Sequence, residues 1–200
     1  MAETGARDSY ERRGAELVGR RVLDVVYWDV RNLSDEPRTW DHGDWHHAVL
    51  GVDLATDAGP FCVEWTDTFY PYGVEVFPRP VLDARRLGPG GPEGWSVGSH
   101  PHWRTRAATP VESVTTFWET ITVGPAHRLV DGVGVGDRQS HQVPVALRLD
   151  FAVGPVWLVA GMPMWPDADT VLVPADEILV VFDRIRMLRI GFPDEAFVAP

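Results

Sequence analysis

The chain reads as a mainly β protein: two tandem, similar antiparallel β-meanders forming a sandwich or a partly open barrel, with little helix. Three observations predict this. Residues 145–161, VALRLDFAVGPVWLVAG, hold two apolar-alternating runs, Val145/Leu147/Leu149/Phe151 and Val156/Leu158/Ala160, broken at Gly154-Pro155 as a hairpin is. Residues 49–65, VLGVDLATDAGPFCVEW, write the same pattern once before. With Gly59-Pro60 set on Gly154-Pro155, Leu50 falls on Val145, Val52 on Leu147, Leu54 on Leu149, Phe61 on Val156 and Val63 on Leu158. The likeness also extends outward in order: Tyr27-Trp28-Asp29 falls on Phe117-Trp118-Glu119 upstream, and Val76-Phe77-Pro78-Arg79 on Val181-Phe182-Asp183-Arg184 downstream. The offset rises along the chain, as insertions into the connectors of a duplicated unit would make it.

In chain order, residues 1–14 are polar and mixed in charge and read as a loose arm or short helix. The first meander copy spans 15–84. It opens with a strand within 17–28, where β-branched and aromatic residues are enriched. A polar loop rich in Trp and His follows at 31–47, then strands at 48–55 and 61–67. Pro71-Tyr72-Gly73 turns the chain into a fourth strand at 74–77, which Pro78 and Pro80 stop because neither can donate a ladder hydrogen bond. Residues 85–110 form a Gly/Pro-rich connector with too little apolar periodicity for an element, which should be a functional loop or wrap over the sheets. The second copy spans 111–192: a strand at 111–123, a long loop at 124–142, the central hairpin, a loop at 162–169 and a closing strand at 177–182. A short helical turn over 184–189 and a coil tail complete one compact domain.

Composition bounds the function. Two hundred residues, 44% hydrophobic and 24% charged, suit a globular chain able to bury a core. No apolar run approaches the roughly 18 residues of a membrane span. The opening MAETGARDSYERRGAE has no apolar stretch of the secretory kind, so the expected location is the cytoplasm. The single cysteine, Cys62, rules out an internal disulfide and suits a reducing compartment. All 18 basic residues are arginine, a trait of GC-rich coding more than of function. The formal net charge is −11, and residues 29–67 carry nine acids against Arg31 and Arg38. Such a face repels phosphate backbones, which excludes nucleic acid as the expected partner. It admits a basic protein, a cation or a second copy of the chain, or simply solvent.

The densest chemistry lies in Asp41-His42-Gly43-Asp44-Trp45-His46-His47, enough imidazole and carboxylate for a divalent ion but without a helical spacing that directs the ligands. The alignment places His46 on His141 and Asp29 on Glu119, so a pseudo-symmetric metal site of His46, His141, Asp29 and Glu119 is one reading. The plainer one is duplicated polar residues ending duplicated strands at the solvent. His100-Pro101-His102 reads as a surface loop, its proline turning the two rings apart. Trp40, Trp45, Trp95, Trp103 and Trp165 fall in expected loops, where an indole gains nothing unless something covers it. A partner would do so, and so would the sheet itself if the loops fold back. No nucleophile elbow, phosphate loop, dinucleotide fingerprint or CxxC is present, and Gly132-Val133-Gly134-Val135-Gly136 leads toward a strand, not a helix.

The expected function is a protein-binding module, of the kind an immunity protein or complex subunit would be. It would present Trp40, Asp41, Asp44, Trp45, Trp95 and Trp103, and no cofactor is required for it. The alternative is a metal-dependent enzyme, or a small-ligand binder, with the His/carboxylate site between the copies. Either reading uses the end where loops 31–47 and 120–142 emerge, gathering His42, His46, His47, His127, His141 and Asp137.

Overall fold

The computed structural model describes residues 2–30, 39–69, 72–83, 91–107, 109–124, 129–130, 133–134 and 138–192. Helix α1 (Ala2–Ala15) leads into β1 (Val22–Val30), β2 (Trp45–His47), β3 (Gly51–Thr56), β4 (Gly59–Thr66), β5 (Gly73–Phe77) and β6 (Pro92–Ser96). Then come α2 (Pro101–Arg106), β7 (Val111–Val123), the two-residue pair β8 (Leu129–Val130) and β9 (Val133–Gly134), β10 (Gln139–Phe151) and β11 (Val156–Ala160). Last are β12 (Met162–Met164), β13 (Asp167–Leu172), β14 (Ile178–Val181) and α3 (Arg184–Arg189). Two antiparallel five-stranded sheets result, ordered β5-β4-β3-β1-β6 and β2-β14-β11-β10-β7, with small two-stranded ribbons β12-β13 and β8-β9. The fold is mainly β, as expected, and the sheets are not closed on each other.

The two sheets share a path: β1-β3-β4-β5 in the first and β7-β10-β11-β14 in the second are both antiparallel series in the same order. The central hairpins also share a register. Val52 faces Val63 and Leu54 faces Phe61, while Leu147 faces Leu158 and Leu149 faces Val156. All eight are buried in one core between the sheets. The outer matches are each displaced by one residue. Tyr27 lies opposite Val52, but Leu147 takes Thr116, not Phe117; Val63 takes Val76, but Leu158 takes Val180, not Val181. One step matters because strand side chains alternate. Tyr27, Val76 and Val180 point into the shared core, whereas Val181 belongs to a second cluster on the far face of the second sheet, and Phe117 packs against that cluster. Asp29 and Glu119 are therefore not equivalent positions.

That second cluster explains why β11 and β14 are apolar at every position. Trp157, Val159, Leu179 and Val181 are covered by Met187 of α3 with Ile190 and Phe192 just beyond it, so these two strands are buried on both faces. Asp183 caps α3, its carboxylate accepting from the Ile185 and Arg186 amides at 2.7 and 3.0 Å. The outer face of the first sheet is polar instead. Glu64 and Glu75, directly opposite each other, are both buried and are neutralised by Arg79 at 2.5 Å and Arg13 at 2.7 Å.

One seam of the sandwich is sealed by α1 and by the approach of β5 to β10. Tyr10, buried on α1, donates its hydroxyl to the Val74 carbonyl at 2.5 Å. At Gly73 a Cβ would lie 2.9 Å from the Pro144 ring, so only glycine admits this contact. The arm expected over 1–14 is thus the helix of the two options offered, and it is a packed one.

Three expectations about loops are corrected. The connector over 85–110 carries β6 and α2. Its apolar pattern is sparse because β6 is an edge strand of five residues, with Trp95 set opposite Tyr27, and because α2 spans six residues with Pro101 at its start. The loop over 124–142 is shortened, since β10 starts at Gln139 and its polar end continues to pair with β7 up to Val123. The loop over 162–169 is largely the β12-β13 ribbon. The tight turns behave as read: Gly59 and Gly154 both have positive φ, 120° and 116°.

Candidate metal centre

The opposite seam, where the β2 edge of one sheet meets β1 and α2, holds a group of three ligand-type side chains. Asp41, His46 and His100 each offer an atom within 4.8 Å of the others, and no other such group occurs among the described residues.

The chain builds it locally first. Residues 40–47 form a small hairpin in which His42 N–H donates to the Trp45 carbonyl at 3.0 Å and His47 N–H to the Trp40 carbonyl at 2.8 Å. These two bonds flank the bridge between Asp41 and His46. The pair is therefore a non-hydrogen-bonded one, where side chains across two strands stand closest and on the same face. Gly43, at φ 86°, supplies the positive φ of the turn, and its N–H donates to Asp41 Oδ1 at 2.9 Å. β2 is then anchored as the edge strand beside β14, His46 opposite Val180, and Phe182 N–H donates to the Asp44 carbonyl at 3.1 Å.

His46 is completely buried. Its Nδ1 lies 2.8 Å from the Tyr27 hydroxyl, whose oxygen also accepts the Trp103 indole N–H at 2.6 Å. That chain fixes the ring, and Nε2 is left facing Asp41 Oδ1 at 3.7 Å with no hydrogen-bond partner. Asp41 Oδ2 is 3.3 Å from His100 Nε2. His100 arrives from the connector as the residue before α2, in extended conformation, with its ring edge-on to His46 at 4.6 Å and to Trp40 at 5.5 Å. The helix is held by Trp103, 1% exposed, and by Arg106, which donates to the His102 and Pro155 carbonyls at 2.6 and 2.9 Å.

The charge states suit a cation. Burial, with His100 next in effect, pushes His46 down to about 3, so its imidazole is neutral at neutral pH. The Gly43 N–H holds Asp41 below the usual carboxylate range against the opposing effect of burial, with His46 and His100 adding to the lowering. A carboxylate at Asp41 and a neutral imidazole at His46 are protonation states that ligate metal. Donor atoms around a tetrahedral zinc, at bonds of about 2.0–2.2 Å, stand about 3.3–3.6 Å apart. His100 Nε2 stands 3.3 Å from Asp41 Oδ2 and His46 Nε2 3.7 Å from Asp41 Oδ1, close to that spacing, and one ligand atom from each of the three residues lies within 4.8 Å of the others.

Of the four residues of the pseudo-symmetric reading, only His46 is in this group. His141 lies on β10 opposite Ile121, Glu119 on β7 opposite Val143, and Asp29 is buried on β1 opposite Glu93. His46 and His141 do not come together because β10 runs on through His141, whereas the chain after His46 turns at Ala48–Gly51 and leaves His46 on the other sheet from β3. His127 and Asp137 lie outside the described residues.

Of the docking residues, Asp41 is a metal-group member, Trp40 is half-buried against His46 and His100, and Asp44 is half-buried in the hairpin turn. Trp45 and Trp103 are buried and Trp95 packs on the core, so these loops fold back and use indoles as anchors, the second of the two options for them. The rings of His100 and His102 are not turned apart. Pro101 starts the helix, and the ring centroids lie 5.3 Å from each other. Sequence reasoning missed His100 and Tyr27. The sequence did carry a signal for the Asp41–His46 pair, their five-residue separation about a Gly-Asp turn, but no local pattern ties Tyr27 or His100 to that pair.

Among the described residues no helix is long and apolar enough to cross a membrane. In comparison with known proteins, no family model, no curated protein and no solved structure matches this chain.

Proposed function

We propose that this chain is a divalent-metal protein in which Asp41, His46 and His100 hold the ion. The observation that carries the reading is the fully buried His46 Nε2, unpartnered and facing two further donors. An orphaned buried polar atom costs about 1–3 kcal/mol, and an ion removes that cost. Two imidazoles and one carboxylate suit zinc and other first-row divalent ions rather than magnesium or calcium, which prefer all-oxygen shells. Tyr27 orients His46 through the hydrogen bond between its hydroxyl and Nδ1. The test is stripping with chelator, reloading with zinc, and elemental analysis after gel filtration. One ion per chain is expected in the wild type, with weakening by at least about tenfold in Asp41→Asn and His100→Ala. Both substituted side chains are partly exposed, so the fold should survive. Equal zinc retention by all three proteins, or none by the wild type, would overturn the proposal.

A second reading keeps the protein-binding role on other residues. Trp165 is 59% exposed, with Met164 and Leu172 also exposed on the same β12-β13 ribbon beside Asp167 and Asp169. This surface and the acidic surplus of the chain suit a partner with apolar and basic groups in the same cytoplasmic compartment. Trp165→Ala should abolish capture of such a partner and leave zinc content unchanged; unchanged capture would remove the surface from consideration.

A further inference from the structure

Resting on the metal reading, we infer that the ion keeps one coordination position open to solvent on the Asp41 side, and that this position takes water or a small oxygen-donor anion such as a carboxylate or hydroxamate. The centre is then of the exchangeable, reactive type, unlike a closed structural site in which the protein supplies all four ligands.

The donors come first. Zinc and its neighbours take at least four ligands, and the protein brings three; among the described residues no fourth His, Cys, Asp or Glu joins the group. The interior side of the centre is walled by an aromatic hydrocarbon ring and by a hydroxyl already engaged in hydrogen bonds. Phe182 packs on His46 at 4.8 Å, and the Tyr27 hydroxyl is engaged with His46 Nδ1 and the Trp103 indole. Exposure then sets the direction of the opening. The His46 side chain is 0% exposed, His100 20% and Asp41 42%, so the ion meets solvent on the carboxylate side.

Charge selects the ligand. A divalent ion with one carboxylate and two neutral imidazoles keeps a residual charge of +1, which favours an anion or a polarised water over a cation. The setting selects for size. Trp40 lies over both imidazoles, and His102, stacked on Phe182 at 4.4 Å, is tied by Nε2 to the Gly43 carbonyl at 3.0 Å, so the hairpin and α2 together narrow the approach.

The experiment uses the full chain loaded with cobalt(II), whose visible bands report the coordination shell. Acetohydroxamate and, separately, acetate are titrated into it while bound cobalt is measured in parallel. A saturable change in band position and intensity, with cobalt content constant, is the expected result. A spectrum unmoved by either anion at stoichiometric cobalt would overturn the open position and leave a closed centre. Failure to take up cobalt at all would overturn the metal reading on which this rests.

Discussion

Replacing Tyr27 by Phe removes one oxygen atom and tests the architecture of the centre from its buried side. That oxygen serves two bonds, to His46 Nδ1 at 2.8 Å and from the Trp103 indole at 2.6 Å. Tyr27, His46 and Trp103 are all at most 1% exposed, so water does not replace what is lost. Each buried group left without a partner costs about 1–3 kcal/mol, and two such losses, partly relieved by relaxation, amount to about 2–4 kcal/mol. The ring remains, so no cavity term is added. Urea denaturation of the metal-free wild type and variant measures this loss directly. Competition against a chelator should show zinc held about 10–100-fold more weakly, because the orienting partner of His46 is gone. Tyr10→Phe is the control: it deletes a buried hydroxyl at the other seam, which donates to the Val74 carbonyl and is also hydrogen-bonded by Thr116, and should cost about 1–3 kcal/mol with zinc affinity unchanged. A Tyr27→Phe protein within about 0.5 kcal/mol of wild type, with the same zinc affinity, would refute both the hydrogen-bond chain and its role in setting the ligand.

Two further outcomes are expected. Leu149→Ala should destabilise by about 2–5 kcal/mol in chemical denaturation, since Leu149 is fully buried between Val114 and Val156 on the neighbouring strands; a loss under about 1 kcal/mol would place it outside the shared core. Cys62 should resist a thiol reagent at mildly alkaline pH and react once the chain is unfolded, because burial, reinforced by Glu64, pushes its thiol up to about 12. Rapid labelling of the native protein would show that the outer face of the first sheet is open.

The central hairpins were legible because their information is local. Alternation puts Val52, Leu54, Leu147 and Leu149 on one face, and Gly-Pro punctuation sets the turns, so both pairings follow from adjacent residues. The outer strands were placed one residue out because their register is set across connectors of unequal length, where residue-type similarity outweighs the two-residue period. Phe117 resembles Tyr27 as an aromatic, yet Thr116 holds the corresponding place in the ladder. β6 and α2 escaped notice because a short edge strand and a six-residue helix have too few residues to show a period.

By itself, then, the sequence determined the β class, the two central hairpins with their buried faces, and the presence of imidazole and carboxylate in the 41–47 stretch. Tertiary structure alone decided that the sandwich has a third layer under α3, that His46 crosses to the other sheet, and that the connector returns His100 to it. The reason is the range of the interactions involved. Periodicity and turn chemistry act between residues a few positions apart and leave their mark in the order of the letters. The meeting of Asp41, His46 and His100 is fixed by Trp103 docking on Tyr27 and by Arg106 bridging α2 to the turn at Pro155. Those contacts join segments distant in the chain, and they exist only once both sheets have packed.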